Sequence, residues 1–228
     1  MCTVCGCSPS PELLHVEQAI LSKHDVIAED NRNYFNANNI LALNLLSSPG
    51  SGKTTLLVET IKQLQSQYPI SVIEGDQQSN QDADRIRATD TKVIQINTGK
   101  GCHLDAQMIQ NAYPELAPTS NSILFIENVG NLVCPAGFDL GETYKVVMLS
   151  VTEGEDKPLK YPEMFHVANI VLLTKTDLLP YLDFDLDKCL SYIHRINPKA
   201  EVFQVSTRSG EGINTWLHWI KEHLPSNT

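Results

Sequence analysis

The sequence predicts an α/β fold of the P-loop class, with a mainly parallel sheet flanked by helices on both faces. Strand-like and helix-like runs alternate from residue 40 onward, a pattern that needs crossover helices on the sheet faces. The first of those strands runs into a Gly-rich turn and then into a helix, which is the context of a phosphate-binding loop. Composition agrees, since 228 residues with 42% hydrophobic and 19% charged side chains are enough to bury one sizeable core.

Residues 1–12 form a short Cys-rich arm ended by Pro9 and Pro11, with no hydrophobic period. From Glu12 to about Asn33, Leu13, Leu14, Val16, Ile20, Leu21 and Ile27 recur at helical spacing, and the asparagines from Asn31 to Asn39 mark a loop, so residues 13–39 read as a helix and its connection. The alternation proper then begins, with a strand over Ile40–Ser48, a helix over Lys53–Gln67, a strand over Ile70–Asp76 and a helix over Asp82–Ala88. A strand over Lys92–Thr98, a helix over Leu104–Leu116 and strands over Ile123–Val129, Tyr144–Val151 and Ile170–Thr174 follow. A helix near Asp185–Ile196, a strand over Val202–Ser206 and a last helix over Ile213–Leu224 complete a domain over 40–228. In such sheets ligands bind beyond the carboxyl ends of the strands.

Seventeen Lys and Arg against 27 Asp and Glu give a formal charge of -10, which repels phosphate backbones and anionic lipid, so nucleic acid and membrane surfaces are not expected partners. No apolar run approaches the ~18 residues that span a bilayer, and the opening residues lack a basic segment followed by an apolar core. A cytoplasmic location is expected. Cysteines there stay reduced, so the six in this chain, three of them within the first seven residues, point to metal or redox chemistry rather than disulfides.

The turn Ser47-Ser48-Pro49-Gly50-Ser51-Gly52-Lys53-Thr54-Thr55 is the candidate phosphate loop. Gly50 and Gly52 let backbone N–H groups converge on phosphates, Lys53 adds a point charge, and the Thr54 hydroxyl is placed to ligate Mg²⁺. Ser47 stands where the general G-x-x-x-x-G-K-[ST] pattern has Gly. Asp76 and Glu127 close two strands and are candidate magnesium-side carboxylates, and Gly130 offers an N–H to a γ-phosphate. Thr174-Lys175-Thr176-Asp177 similarly ends a strand, and a carboxylate at Asp177 accepts from both guanine donors, which adenine lacks, so GTP or GDP is the expected nucleotide. The run resembles the Asn-Lys-x-Asp guanine motif with Thr174 in place of Asn, and Ser206-Thr207-Arg208 resembles the last base-contacting loop of GTPases.

Two groups of soft donors stand out. Cys2, Cys5 and Cys7 lie close enough to converge on one cation, and removal of Met1 would add an α-amine that suits Ni²⁺ better than tetrahedral Zn²⁺. Cys102-His103 and Cys134 lie on two loops that leave carboxyl strand ends, and two sulfurs with an imidazole suit Zn²⁺ or Ni²⁺. Spacing alone leaves these last three equally open to a core and helix-capping role. Cys189 falls in an apolar helical pattern and reads as core.

With these residues in view, the chain resembles the HypB family of hydrogenase nickel-incorporation GTPases over nearly all of its length. The resemblance rests on Cys2-x-x-Cys5-Gly6-Cys7, Gly75-Asp76-Gln77-Gln78, Gly101-Cys102-His103-Leu104-Asp105, Glu127-Asn128-Val129-Gly130-Asn131-Leu132-Val133-Cys134-Pro135 and the run from Thr152 to Pro162. It implies a fold shared with nitrogenase iron proteins and signal-recognition GTPases, slow Mg²⁺-dependent GTP hydrolysis, and a homodimer linked to nucleotide state. It further implies a tight nickel site at Cys2, Cys5 and Cys7 and a weaker nickel or zinc site at Cys102, His103 and Cys134. Partners implied are a HypA-type accessory protein and the hydrogenase large subunit. Residues 8–39 hold only His15 and His24, so the His-rich nickel store of some family members is not expected. Because Gly130 precedes Cys134 by four residues, GTP binding is expected to alter the metal ligands. Competing readings are a urease-type nickel GTPase, whose Cys-Pro-His motif is missing here, a P-loop small-molecule kinase and a metal buffer without hydrolysis.

Overall fold

The computed structural model describes residues 11–77 and 80–225. Strands β1 (Ile40–Ser47), β2 (Ile70–Asp76), β3 (Lys92–Asn97), β4 (Ser122–Glu127), β5 (Tyr144–Ser150), β6 (Ile170–Thr174) and β7 (Glu201–Val205) form one sheet. Their order is β3-β2-β4-β1-β5-β6-β7, and every neighbouring pair is parallel. Helices α1 (Pro11–Ala37), α2 (Lys53–Leu64), α3 (Gln81–Arg87), α4 (Ala106–Leu116), α5 (Lys157–Lys160), α6 (Pro162–Val167), α7 (Leu186–Ile196) and α8 (Ile213–Glu222) cover it. The α/β class expected from the alternation is the class observed.

Strand parity builds the two halves of the core. On β1, Leu41, Leu43 and Leu45 point to one face and meet Leu57 and Ile61 of α2 and Trp216 and Ile220 of α8. Ile40 and Ala42 point the other way, toward Phe35 of α1 and Ile109 of α4, and Leu46 packs in the cluster holding Phe165 of α6 and Ile193 of α7. Every β1 residue is buried, which is why that strand is apolar on both faces rather than alternating, with buried Asn44 the one polar residue before Ser47. Beyond β1 the strand order turns, with β4 on one side and β5 on the other, so a crevice opens at its carboxyl end.

The sequence reading departs from the structure at α1, which continues through Asn31 and Asn33 to Ala37. Asn31 does not break the helix because its side chain finds tertiary acceptors, the carbonyls of Ala106 at 2.9 Å and Leu140 at 3.0 Å. Arg32 on the next position makes a bidentate pair with Asp139 at 2.6 and 2.7 Å. The short helices α5 and α6 were not among the expected elements, and Pro158 and Pro162 each sit in a first turn where a missing N–H costs nothing. No helix among the described residues is long and apolar enough to cross a membrane. Cys2, Cys5 and Cys7 lie outside the described residues.

Candidate functional site

The loop between β1 and α2 wraps a cleft of about 610 Å³. Gly50 and Gly52 adopt φ of 77° and 100°, a region that costs any residue with a Cβ, and this lets the loop turn its amides inward before α2 begins. Ser47, the departure from the usual motif, is fully buried and serves as the loop's internal anchor. Its Oγ accepts from Ser51 Oγ at 2.6 Å and from Lys53 Nζ at 3.1 Å, so the lysine head is held over the loop. Gly130 packs against the loop from outside, because a Cβ there would lie 3.1 Å from the Pro49 backbone. Ser48 donates to Glu153, which also takes the Ser150 N–H at 3.1 Å and so ties the loop to the end of β5.

Parallel register sets carboxylates beside this loop. Glu127 is buried at the end of β4, and its Oε1 accepts from Thr54 Oγ1 at 2.6 Å while its Oε2 has no hydrogen-bond partner. Burial pushes the Glu127 carboxyl upward, against the pull of Lys53 and the Thr54 hydrogen bond. Glu74 pairs with Glu127 across the β2–β4 ladder, and burial together with the charges of Glu127 and Asp76 raises it to about 8. Asp76 ends β2 facing the cleft and accepts the Gln77 N–H at 2.7 Å. Arg85 of α3 lines the same cleft, donating to Thr55 Oγ1 at 2.9 Å and pairing with Asp82 at 3.2 Å.

The base end is assembled from β6 and β7. Thr174 Oγ1 donates to the Ser51 carbonyl at 2.7 Å, and Lys175, at φ 59°, donates to the Gly50 carbonyl at 2.7 Å. Asp177 accepts from Ser206 Oγ at 2.7 Å, and Ser206 Oγ in turn accepts the Arg208 N–H at 3.2 Å. A small recess of about 80 Å³ adjoins, lined by Gly52, Thr55, Lys175 and Thr207 among others. Replacing the motif's asparagine by Thr174 therefore keeps a polar tie between the base end and the phosphate loop.

The loops after β3 and β4 bring Cys102, His103 and Cys134 together, with one donor atom from each within 4.8 Å of the others. Cys102 Sγ lies 3.6 Å from His103 Nδ1, and Cys134 opens a 3₁₀ turn, Cys134–Gly137. The His103 ring stacks on Phe138 with centroids 3.8 Å apart, which fixes its orientation. Burial lowers the His103 pKa, with Asp105 acting against it, which favours the neutral imidazole that a metal ligand requires. Hydrogen bonding to Cys134, then burial, raises the Cys102 thiol.

Residues 41–204 match the family model described as CobW/HypB/UreG, nucleotide-binding domain. The hydrogenase maturation factor HypB of Escherichia coli K12 is 60% identical over 209 residues, covering 92% of this chain and 72% of that protein. The chain belongs to the HypB family of hydrogenase maturation factors. A crystal structure of HypB from Archaeoglobus fulgidus superposes on this family member with a TM-score of 0.84 at 37% identity, covering 90% of this chain and 100% of the other. HypB from Helicobacter pylori in complex with nickel gives 0.82 at 35% identity, covering 90% and 99%. The signal recognition particle 54 kDa protein of Aeropyrum pernix, bound to GDP, shares the fold alone at 12% identity and a TM-score of 0.54, covering 82% of this chain and 49% of that one.

In this HypB-family chain Gly50 to Thr55, Asp76, Gly130 and Lys175 line the cleft, Glu127 reaches it through Thr54, Thr207 lines the adjoining recess, Asp177 and Ser206 bond to each other at the base end, and Cys102, His103 and Cys134 form one cluster. Sequence reasoning passed over Glu74, Arg85 and Glu153. A glutamate in an apolar strand was a readable signal for Glu74, whereas Arg85 and Glu153 reach the loop only through tertiary contacts. Cys189 is core, as expected, its thiol pushed up to about 12 by burial. His24 lies edge-on to Phe138, the ring that also stacks on His103.

Proposed function

We propose that this HypB-family chain is a Mg²⁺-dependent GTPase that carries nickel toward the [NiFe]-hydrogenase large subunit, with metal affinity set by nucleotide state. The observation that supports it most is the placement of Cys102, His103 and Cys134 on loops leaving β3 and β4, the same sheet edge that presents Asp76, Glu127 and Gly130 to the phosphate loop. Two thiols and a neutral imidazole suit nickel, or zinc in its place, as cargo.

The Thr54 hydroxyl and the partnerless Oε2 of buried Glu127 make a hard-oxygen set that fits Mg²⁺, joined by Asp76. When bound, the ion neutralises charge that builds on the β- and γ-phosphates. The chain's own residues orient the nucleotide: loop amides and Lys53 hold the phosphates, Gly130 N–H meets the γ-phosphate, and Asp177 accepts from guanine with Lys175, Ser206, Thr207 and Arg208 around the base. No glutamine directly follows Gly130 to aim the attacking water, so intrinsic turnover is slow.

The domain reading is an arm over 1–12 with a second nickel site at Cys2, Cys5 and Cys7, a helical connection over 13–39 and the GTPase domain over 40–228. A homodimer, a HypA-type partner and a cytoplasmic location complete the proposal. A Ni²⁺ titration of reduced, metal-free protein, with Cys2, Cys5 and Cys7 replaced so that only the second site is read, tests it. Nickel affinity is expected to differ between the GDP form and a non-hydrolysable GTP-analogue form. Equal affinity in the two forms sinks the gating.

A further inference from the structure

Three side-chain amides grip the four residues from Gly101 to Leu104 that carry Cys102 and His103. Gln77 Nε2 donates to the Gly101 carbonyl at 3.0 Å, and Asn131 Nδ2 donates to the Cys102 carbonyl at 3.3 Å. Asn128 Oδ1 accepts the Leu104 N–H and the Val129 N–H, each at 3.0 Å. Each of these amides directly follows a residue of the nucleotide cleft: Gln77 follows Asp76, Asn128 follows Glu127, and Asn131 follows Gly130. The metal loop is thus held at its start, middle and end by the neighbours of the groups assigned to magnesium and the γ-phosphate.

We propose that Gln77, Asn128 and Asn131 are positioning residues that transmit nucleotide state to the Cys102–His103 loop, a proposal that rests on the GTP-gated reading above. The three differ in anchorage, and that difference gives the direction of transmission. Asn128 is buried and its Nδ2 donates to Asn44 Oδ1 at 3.3 Å. Asn44 donates to Glu142 at 3.0 Å, and Glu142 pairs with Lys145 at 2.6 Å, so this amide is fixed in the interior and acts as the pivot. Gln77 is exposed and, among the described residues, its side chain bonds only to the loop, and Asn131 is half-buried, its other side-chain bond being to the nearby Val133 N–H at 2.8 Å, so neither is tied to the interior as Asn128 is and they are the moving arms. Asp76 adds a backbone link, since its carbonyl accepts the Thr98 N–H at 2.9 Å and the Thr98 carbonyl accepts the Gly101 N–H at 2.8 Å. Good hydrogen bonds tolerate only a few tenths of an ångström, so repositioning Asp76 or Gly130 on a nucleotide either drags Gly101 and Cys102 or breaks these bonds. In both cases the spacing of Cys102 to Cys134 changes.

The test measures Ni²⁺ affinity of this site, in the same arm-blocked background, for wild type and the Gln77→Ala/Asn131→Ala double variant, each with GDP and with a non-hydrolysable GTP analogue. In wild type the two forms are expected to differ by at least about fivefold, and in the double variant by less than about twofold, each protein being compared at saturating GDP and saturating analogue. A role confined to loop stability weakens both nucleotide forms alike and leaves their ratio intact, so a retained ratio overturns the relay while leaving gating in place. No difference in wild type removes gating itself, and the relay with it. Gln77→Met, of similar length without the donor and at an exposed position, guards against misfolding of the double variant. It is expected to reduce the ratio at least about twofold, and an unchanged ratio counts against the relay.

Discussion

The phosphate cleft and the Cys/His cluster sit at the same sheet edge but are built in opposite ways. The cleft is built around one contiguous run, Ser47 to Thr55, whose members bond to one another and to buried Glu127. The cluster takes three half-exposed donors from two loops, 32 residues apart in sequence, held by stacking on Phe138, the amide contacts and the turn from Thr98 to Gly101. The difference teaches that the phosphate cleft is held stiff by its own bonds, whereas the Cys/His cluster takes its shape from its neighbours. A stiff site suits electrostatic preorganisation, and a compliant one suits pickup and release.

The contrast breaks most visibly at Glu127. Glu127→Gln keeps the shape and a contact to Thr54 but removes the buried charge, and GTP turnover is expected to fall by about 10²-fold or more, read as kcat with Mg²⁺ present. Nickel affinity of the nucleotide-free protein is expected to stay unchanged, and a parallel loss would show the two sites to be one stiff unit.

A smaller effect is expected at the compliant site. Cys134→Ala removes one of three donors, and nickel affinity at the second site should drop about 10- to 100-fold by competition with a chromophoric chelator. GDP affinity measured without metal is expected to hold. An equal loss of GDP binding would mean that the 3₁₀ turn at Cys134 supports the cleft structurally.

The smallest effect sharpens the stiffness argument through pH. Burial pushes Glu74 up to about 8 in the folded protein from 4.5 in the unfolded chain, so it costs nothing below the unfolded value. As pH rises from 4.5 toward 8 the unfolded chain releases a proton that the folded chain keeps, and stability falls across that window. Glu74→Gln is therefore expected to stabilise the nucleotide- and metal-free protein at pH 7.5 by about 1 kcal/mol or more, with no gain at pH 4. Denaturant midpoints at both pH values check it, and a pH-independent difference would place the effect in packing instead.

Legibility followed the same division. The sheet, its helices and the phosphate loop were readable because their signals are local: an apolar run, a turn rich in Gly, a Lys-Thr pair. Glu127 and Asp76 were readable because strand ends in a parallel sheet share one edge. Asn31 was misread as a loop marker, since the carbonyls of Ala106 and Leu140 that satisfy it lie 75 and 109 residues away. Cys102, His103 and Cys134 were readable as one site only through resemblance, because no local spacing specifies that two loops will meet. Glu153 escaped for the same reason, as its contact with Ser48 spans 105 residues.

The central position of β1 has a consequence for how the chain is made. Ile40 pairs with Ser122 and Leu43 with Tyr144, so the strand that launches the phosphate loop gains its two neighbours only after about a hundred further residues have been synthesised. At typical translation rates that interval is about 5 to 20 s. During it the nascent chain carries the Ser47–Thr55 sequence without Glu127 to receive Thr54, and carries Cys102 and His103 without Cys134. Both sites come into being in one late, high-contact-order step. An unfinished chain therefore lacks the full set of side chains at either place.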